Sequence, residues 1–328
     1  MTNIQVGAMA SANNALINLS MELTNLDMDL TVLANAKAKG QALFATKFIK
    51  KGEPVMFLDP PVMMAIDSES LHRTCYSCLV TKSGMGRCGQ CKMAYFCDKS
   101  CRNQAWKNYH KYECPILRDF KEVLTGSSIK DPPRNFRAVL RLILLHKAGK
   151  VSTSALQEVA DLWHRANGRT DEHDNMLAQV IKGATETDAS QSCILSLLRV
   201  MESNCYNIGT FSGDLIGAEV YLKISRANHS CAPNATFSHW GLVMWDRQSK
   251  YLTLFDKQMP AAMIVARQDI AKGEEITLAY VDIELELEAR KHRLRYVYGF
   301  DCACPRCEKE EALCREKEQK LQKIASRT

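Results

Sequence analysis

With 328 residues, 46% of them hydrophobic and 24% charged, the chain has the composition of an ordinary soluble globular protein with room for two or three domains. No run approaches the roughly 18 uninterrupted apolar residues that a membrane-spanning helix needs. The 43 basic and 37 acidic residues leave a net charge of +6, a mild excess that permits an acidic or nucleic-acid-associated partner without requiring one.

Residues 1–29 scatter Asn13, Asn14, Asn18 and Asn25 among single apolar residues without a clean period, and read as an N-terminal extension that is partly ordered at best. Residues 30–74 change to short strand-like runs broken by glycine: Thr31-Val32-Leu33, Leu43-Phe44-Ala45, and Pro54-Val55-Met56-Phe57-Leu58 before Asp59-Pro60-Pro61. This is β material.

Residues 75–114 hold seven of the fourteen cysteines as Cys75-x2-Cys78, Cys88-x2-Cys91 and Cys97-x3-Cys101, followed by His110-x3-Cys114. Eight sulfur and imidazole donors at these short intervals are the ligand complement of two tetrahedral structural zinc sites. The competing reading is a disulfide framework in a secreted domain. It is disfavoured, because no charged start with an apolar run and a small-residue cleavage site opens the chain. Cysteines left over after the zinc sites point to a reducing compartment, hence cytosol or nucleus. Tyr95-Phe96-Cys97 and Gln104-Ala105-Trp106 either pack against the metals or form the only core so small a module can have.

Residues 115–200 carry helical spacing in Phe136, Val139, Leu140, Ile143, Leu144 and Leu145, and again in Ile194, Leu197, Leu198 and Met201, with Pro132-Pro133 marking a helix start. Strand-like runs resume over residues 201–283, at Ala218 to Leu222, Tyr251 to Leu254 and Ala262 to Ala266. The tail, residues 309–328, is so densely charged that a solvated helix is expected.

Several motifs carry a resemblance. The spacing from Cys75 to Cys114 resembles the MYND finger, and Tyr95 to Lys107 followed by His110 is close to that family's second half. Asn228-His229-Ser230-Cys231-Ala232-Pro233-Asn234-Ala235 and Lys272-Gly273-Glu274-Glu275-Ile276-Thr277-Leu278-Ala279-Tyr280 together resemble the two signatures of the SET domain. Gly40-Gln41-Ala42-Leu43-Phe44 with Lys51-Gly52-Glu53 resembles its opening strand and turn, and Cys302-x-Cys304-x2-Cys307 its closing cluster. A finger inserted after the opening strands is the arrangement of the SMYD family. The resemblance is to a short form without the helical repeat domain into which many members continue, so a more open substrate cleft is expected.

That resemblance implies an α+β fold, a mostly-β SET fold interrupted by a finger and a helical insert. In those terms 30–74 is the first part of SET, 75–114 the MYND finger, 115–200 the insert, 201–283 the catalytic core, and 284–308 a zinc-binding post-SET segment. It implies three zinc ions: one on Cys75, Cys78, Cys97 and Cys101; a second on Cys88, Cys91, His110 and Cys114; a third on Cys231, Cys302, Cys304 and Cys307. Cys193, Cys205 and Cys314 stay unassigned as free thiols.

It further implies a protein-lysine N-methyltransferase using S-adenosylmethionine, with Tyr280 catalytic. Gly40, Ala42, Phe44, Asn204, Asn228, His229, Tyr280 and Phe300 are then the cofactor-binding candidates, His229 chiefly through its backbone, and Tyr298 and Phe300 the substrate-channel candidates. Ala42 stands where the family usually has glycine, which would weaken cofactor binding if that position needs positive φ. Arg226-Ala227 stand where relatives carry aliphatic residues. The expected partners are a protein presenting a target lysine and a proline-rich peptide at the finger, with the chain acting as a monomer. A catalytically weak SET/MYND adaptor is the alternative. Direct nucleic-acid binding through Lys92, Lys99, Arg102, Lys107 and Lys111 stays open, but these lysines and arginines read first as a solvated face.

Overall fold

The structure, a computed structural model, describes residues 31–35, 41–123, 131–162, 172–210, 213–239 and 262–325. The N-terminal extension, Gly40 and the strand expected at Tyr251–Leu254 lie outside the described residues. In chain order the strands are β1 (Thr31–Asn35), β2 (Gln41–Ala45), β3 (Pro54–Phe57), β4 (Met63–Ile66), β5 (Gly86–Arg87), β6 (Tyr95–Phe96), β7 (Tyr206–Gly209), β8 (Leu215–Val220), β9 (Asn228–His229), β10 (Ala235–His239), β11 (Ala262–Ala266) and β12 (Glu275–Leu278). The helices are α1 (Lys99–Ala105), α2 (Lys111–Val123), α3 (Arg134–Lys147), α4 (Thr153–Ala160), α5 (Glu172–Thr185), α6 (Gln191–Ser203), α7 (Leu287–Arg293) and α8 (Pro305–Ala325).

Two compact units emerge, Met1–Pro60 with Pro233–Leu278, and Pro61–Ala232 with Ala279–Thr328. In the first, β2 pairs antiparallel with β1 and with β12, and β11 pairs antiparallel with β10 and β3. Leu43, Val55, Met56, Ile264, Ile270, Ile276 and Leu278 are buried. The two sequence signatures meet here at Asn234. Its amide nitrogen donates to the Glu275 carbonyl at 2.8 Å and to Glu274 Oε1 at 3.1 Å, while its oxygen accepts from the Thr277 backbone N–H at 2.8 Å. A buried amide with its partners satisfied fixes one register and no other.

The second unit holds the sheet β4-β8-β7, all antiparallel, with helix α3 packed against β4. Phe136, Val139, Leu140 and Ile143 form the buried stripe of α3, meeting Ile194, Leu197, Leu198 and Met201 of α6 and Leu177 and Ile181 of α5. Helix α3 starts directly after Pro133, where a missing N–H costs nothing. Arg137 then ties it to the sheet, donating to the Ile66 carbonyl at 2.6 Å and the Pro132 carbonyl at 3.0 Å. Helix begins within the segment expected to be finger: α1 starts at Lys99, a π-helical turn follows over Trp106–His110, and Cys114 is carried on α2 itself.

One glycine in that sheet is required by contact. A Cβ on Gly217 would stand 2.5 Å from the Ala65 carbonyl oxygen of the neighbouring strand. Gly217→Ala is therefore expected to cost about 1–3 kcal/mol as backbone is forced apart, read as a lowered thermal midpoint.

Candidate functional site

Three clusters of Cys and His stand out among the described residues: Cys75, Cys78, Cys97, Cys101; Cys88, Cys91, His110, Cys114; and Cys231, Cys302, Cys304, Cys307. Within each, the ligand atoms lie within 4.8 Å of one another. Thiolates about 2.3 Å from a tetrahedral zinc would be about 3.8 Å apart. The separations are 3.5 Å for Cys78–Cys97, 3.8 Å for Cys88–Cys114, 3.6 Å from Cys91 Sγ to His110 Nε2, and 3.5 Å for Cys231–Cys307. The donor sets fit zinc, their grouping is the interleaved one implied by resemblance, and no disulfide joins these cysteines.

Local structure explains the ligand positions. Asp98 caps α1, its side chain accepting from the Cys101 N–H at 2.9 Å, and so sets Cys101 one turn from Cys97. His110 and Cys114 are four residues apart along the helical run, on one face. Phe96 and Ala105 are buried, as either reading of these residues requires. Trp106 meets the His110 ring at 5.9 Å, yet is 42% exposed.

The second cluster is wired to the helical insert, which the sequence did not suggest. His110 Nδ1 is 3.1 Å from Glu113 Oε1, and Arg141 of α3 grips Glu113 with two bonds of 3.0 and 3.2 Å. Arg141 also stacks over the rings of Tyr109 and Tyr76, at 4.1 and 4.8 Å. Burial acts to raise the Glu113 carboxyl, but Arg141 and His110 outweigh it and bring it down to about 2. Such a carboxylate orients a ligating imidazole. Arg141→Met would leave Glu113 buried without its cation, an expected loss of about 3–5 kcal/mol measurable by chemical unfolding.

Around the third cluster stand two arginines also missed in the sequence. Arg290, 1% exposed, places Nη2 at 4.0 Å from Cys307 Sγ and pairs with Glu310. Arg306 donates to the carbonyls of Cys231 and Ile283 at 3.1 and 2.8 Å. Four thiolates around a divalent ion carry a net charge of −2, which these cations offset.

Beside this cluster lie the residues singled out for chemistry. The Tyr280 hydroxyl donates to the Ala227 carbonyl at 2.6 Å. Its ring lies 4.8 Å from that of Tyr298 and 6.5 Å from that of Phe300, and the Tyr298 hydroxyl donates to the Tyr280 carbonyl at 3.3 Å. Gly299, at φ +71°, ends the π-helical turn Leu294–Tyr298 and redirects the chain into Phe300. Tyr206, at the start of β7, joins the group unannounced by any motif. Burial, with the phenols of Tyr280 and Tyr298, pushes its hydroxyl well above its ordinary range, and burial brings Tyr298 to about 12.

The contact expected of His229 is through its backbone. Its side chain is buried and engaged: Nδ1 accepts the Tyr280 N–H at 3.0 Å, and Nε2 lies 3.3 Å from Cys231 Sγ. Asn228 is half-buried on β9. Asn204 ends α6, with its backbone N–H and side-chain amide both on the Val200 carbonyl, at 2.9 and 3.3 Å. Arg226, the departure from relatives, pairs with Glu158 at 2.9 Å, and the adjacent Ala227 supplies the carbonyl under Tyr280. Ala42 and Phe44 sit on β2 of the first unit. Ala42 is fully buried opposite Ala34 in ordinary strand backbone, so the cost anticipated for a positive φ does not arise.

Among the described residues no helix is long and apolar enough to cross a membrane. The SET domain family profile matches residues 40–281. Human "Histone-lysine N-methyltransferase SMYD1" is 25% identical over 291 residues, covering 86% of this chain and 56% of its own. Human "Histone-lysine N-methyltransferase SMYD3" is 28% identical over 290 residues, covering 85% and 61%. The "SET domain and MYND-type zinc finger protein 6" of Schizosaccharomyces pombe is 27% identical over 253 residues, covering 75% and 45%. The chain thus spans about half to three fifths of the length of these curated relatives. With the profile match, these relatives and the interleaved clusters, the chain belongs to the SET domain family, in its SMYD branch.

Proposed function

We propose that this chain is a protein-lysine N-methyltransferase that uses S-adenosylmethionine. The observation that carries the reading is Tyr280, hydrogen-bonded at its hydroxyl and its backbone N–H, amid the rings of Tyr298 and Phe300. Curated relatives bear methyltransferase names. The donor set suits the cofactor: Phe300 offers a flat apolar face, and Asn204 and Asn228 offer amides for an amino-acid end. Gly40, Ala42 and Phe44 are assigned to it by resemblance. When bound, the cofactor supplies an electrophilic sulfonium methyl group.

The protein's part is delivery and alignment. A lysine amine, with an ordinary pKa of about 10.4, must arrive deprotonated, and a partly dehydrated tyrosine-lined channel favours the neutral form. Tyr206 and Tyr298 keep their protons at physiological pH, so they act as neutral dipoles and the amine's proton leaves to solvent. Tyr280, its O–H spent on Ala227, turns oxygen lone pairs toward the reacting centre and orients the amine.

Three zinc ions, one per cluster, complete the assignment. The finger is assigned to protein recruitment, with the exposed Trp106 beside Gln104, whose side chain accepts from the Ser77 hydroxyl at 3.3 Å, as the contact for a proline-rich peptide. The site of action is the cytoplasm or nucleus. Calorimetric titration of zinc-loaded protein with S-adenosylmethionine and its demethylated product is expected to give one-to-one binding of about micromolar affinity. No heat at high ligand concentration would favour the adaptor reading.

A further inference from the structure

Tyr280 packs against the buried cluster that holds Cys231, Cys302 and Cys307, and His229 is hydrogen-bonded to both sides of that contact. The Tyr280 backbone N–H donates to Nδ1 at 3.0 Å. A backbone amide has only a proton to offer, so Nδ1 presents its lone pair and a neutral ring carries its proton on Nε2. That Nε2 lies 3.3 Å from Cys231 Sγ, which is 3.5 Å from Cys307 Sγ and 4.0 Å from Cys302 Sγ. The loop closes on the other side, where the Tyr280 hydroxyl donates to Ala227, two residues before His229.

We infer that His229 is a positioning residue: held as the Nε2–H tautomer, it hydrogen-bonds the Cys231 thiolate of the third cluster with one nitrogen and the Tyr280 backbone with the other, so the metal cluster sets where Tyr280 lies. The geometry is built for this pairing. The ring is buried and packs 5.3 Å from the Tyr280 ring and 6.1 Å from that of Phe300, which limits its rotation. A thiolate bound to metal retains lone pairs that accept hydrogen bonds, and an N–H aimed at it stabilises the anionic form. The role given to Tyr280 rests on the methyltransferase reading, whereas the hydrogen bonds do not.

The experiment uses the full chain, zinc-loaded and labelled with 15N-histidine and 15N-tyrosine, with the His229 ring assigned by its loss in His229→Gln and the Tyr280 amide by its loss in Tyr280→Phe. Long-range proton–nitrogen correlation is expected to show the Nε2–H tautomer, and replacing zinc by 113Cd is expected to split that ring proton through the sulfur. A ring protonated on Nδ1, or on both nitrogens, overturns the proposal. Isosteric variants separate the two bonds. His229→Asn places its amide where Nδ1 was and loses the sulfur contact, so zinc affinity of the third cluster should fall about 10- to 100-fold. His229→Gln places its amide where Nε2 was, and should hold zinc at the wild-type level while the Tyr280 amide signal ceases to respond to the exchange of zinc for cadmium. Equal zinc affinity in both variants overturns the coupling. Should either variant fail to fold, the wild-type tautomer decides. None of these readouts requires methyl transfer, so this inference and the enzymatic reading fail separately.

Discussion

Tyr280→Phe is expected to slow methyl transfer by about 10²- to 10³-fold, the range found when one preorganised polar group at a reacting centre is removed. The substitution deletes one hydroxyl and the 2.6 Å bond to the Ala227 carbonyl. The ring keeps its packing against Tyr298, and the backbone N–H keeps its bond to His229. Stability should therefore drop by only about 1 kcal/mol, and zinc content should not change. Single-turnover rates, zinc by mass spectrometry and a thermal melt on the same preparation would check all three. Turnover equal to the parent would remove Tyr280 from the chemistry.

Cys307→Ser should act more broadly. Cys307 is fully buried and faces Cys231 at 3.5 Å, so a hydroxyl there is a poor ligand in a site of four thiolates. Bound zinc is expected to fall by one ion per chain relative to the parent. Arg290, buried against Cys307, would then face a lost anion, and the segment carrying Tyr298 and Phe300 would lose its tie to the Asn-His-Ser-Cys motif. Because metal binding and folding are linked here, both stability and S-adenosylmethionine affinity should drop. Zinc content equal to the parent's would show that the serine oxygen or a water completes the site.

What could be read in advance follows from how local the determinants are. The ligand spacings, the Pro132-Pro133 helix start and the apolar stripe of α3 are written within a few residues of where they act. So are the two SET signatures, whose meeting point Asn234 nonetheless went unremarked, since its partners Glu275 and Thr277 lie forty residues on. Tyr206 carries no local signal of its part in the site; only the fold brings its phenol within electrostatic reach of those of Tyr280 and Tyr298. Arg141, Arg290 and Arg306 were indistinguishable from solvated charges by sequence. Burial with a specific anion or carbonyl makes each what it is. The side chain of His229 carries no signal of its own either: a histidine in a polar turn gives no hint of which ring nitrogen will face a sulfur.

Cys231 and Cys302 are 71 residues apart in one metal cluster. At a ribosomal output of about 5–20 residues per second, Cys231 leaves the tunnel roughly 4 to 14 s before its first partner. During that interval it is an unprotected thiol, and Tyr280 has been made but not yet clamped. The finger, whose ligands all lie within residues 75–114, can load its metal earlier in the same synthesis. Synthesis thus completes the donor sets in order: the two within residues 75–114 are whole before the third, which waits for Cys307.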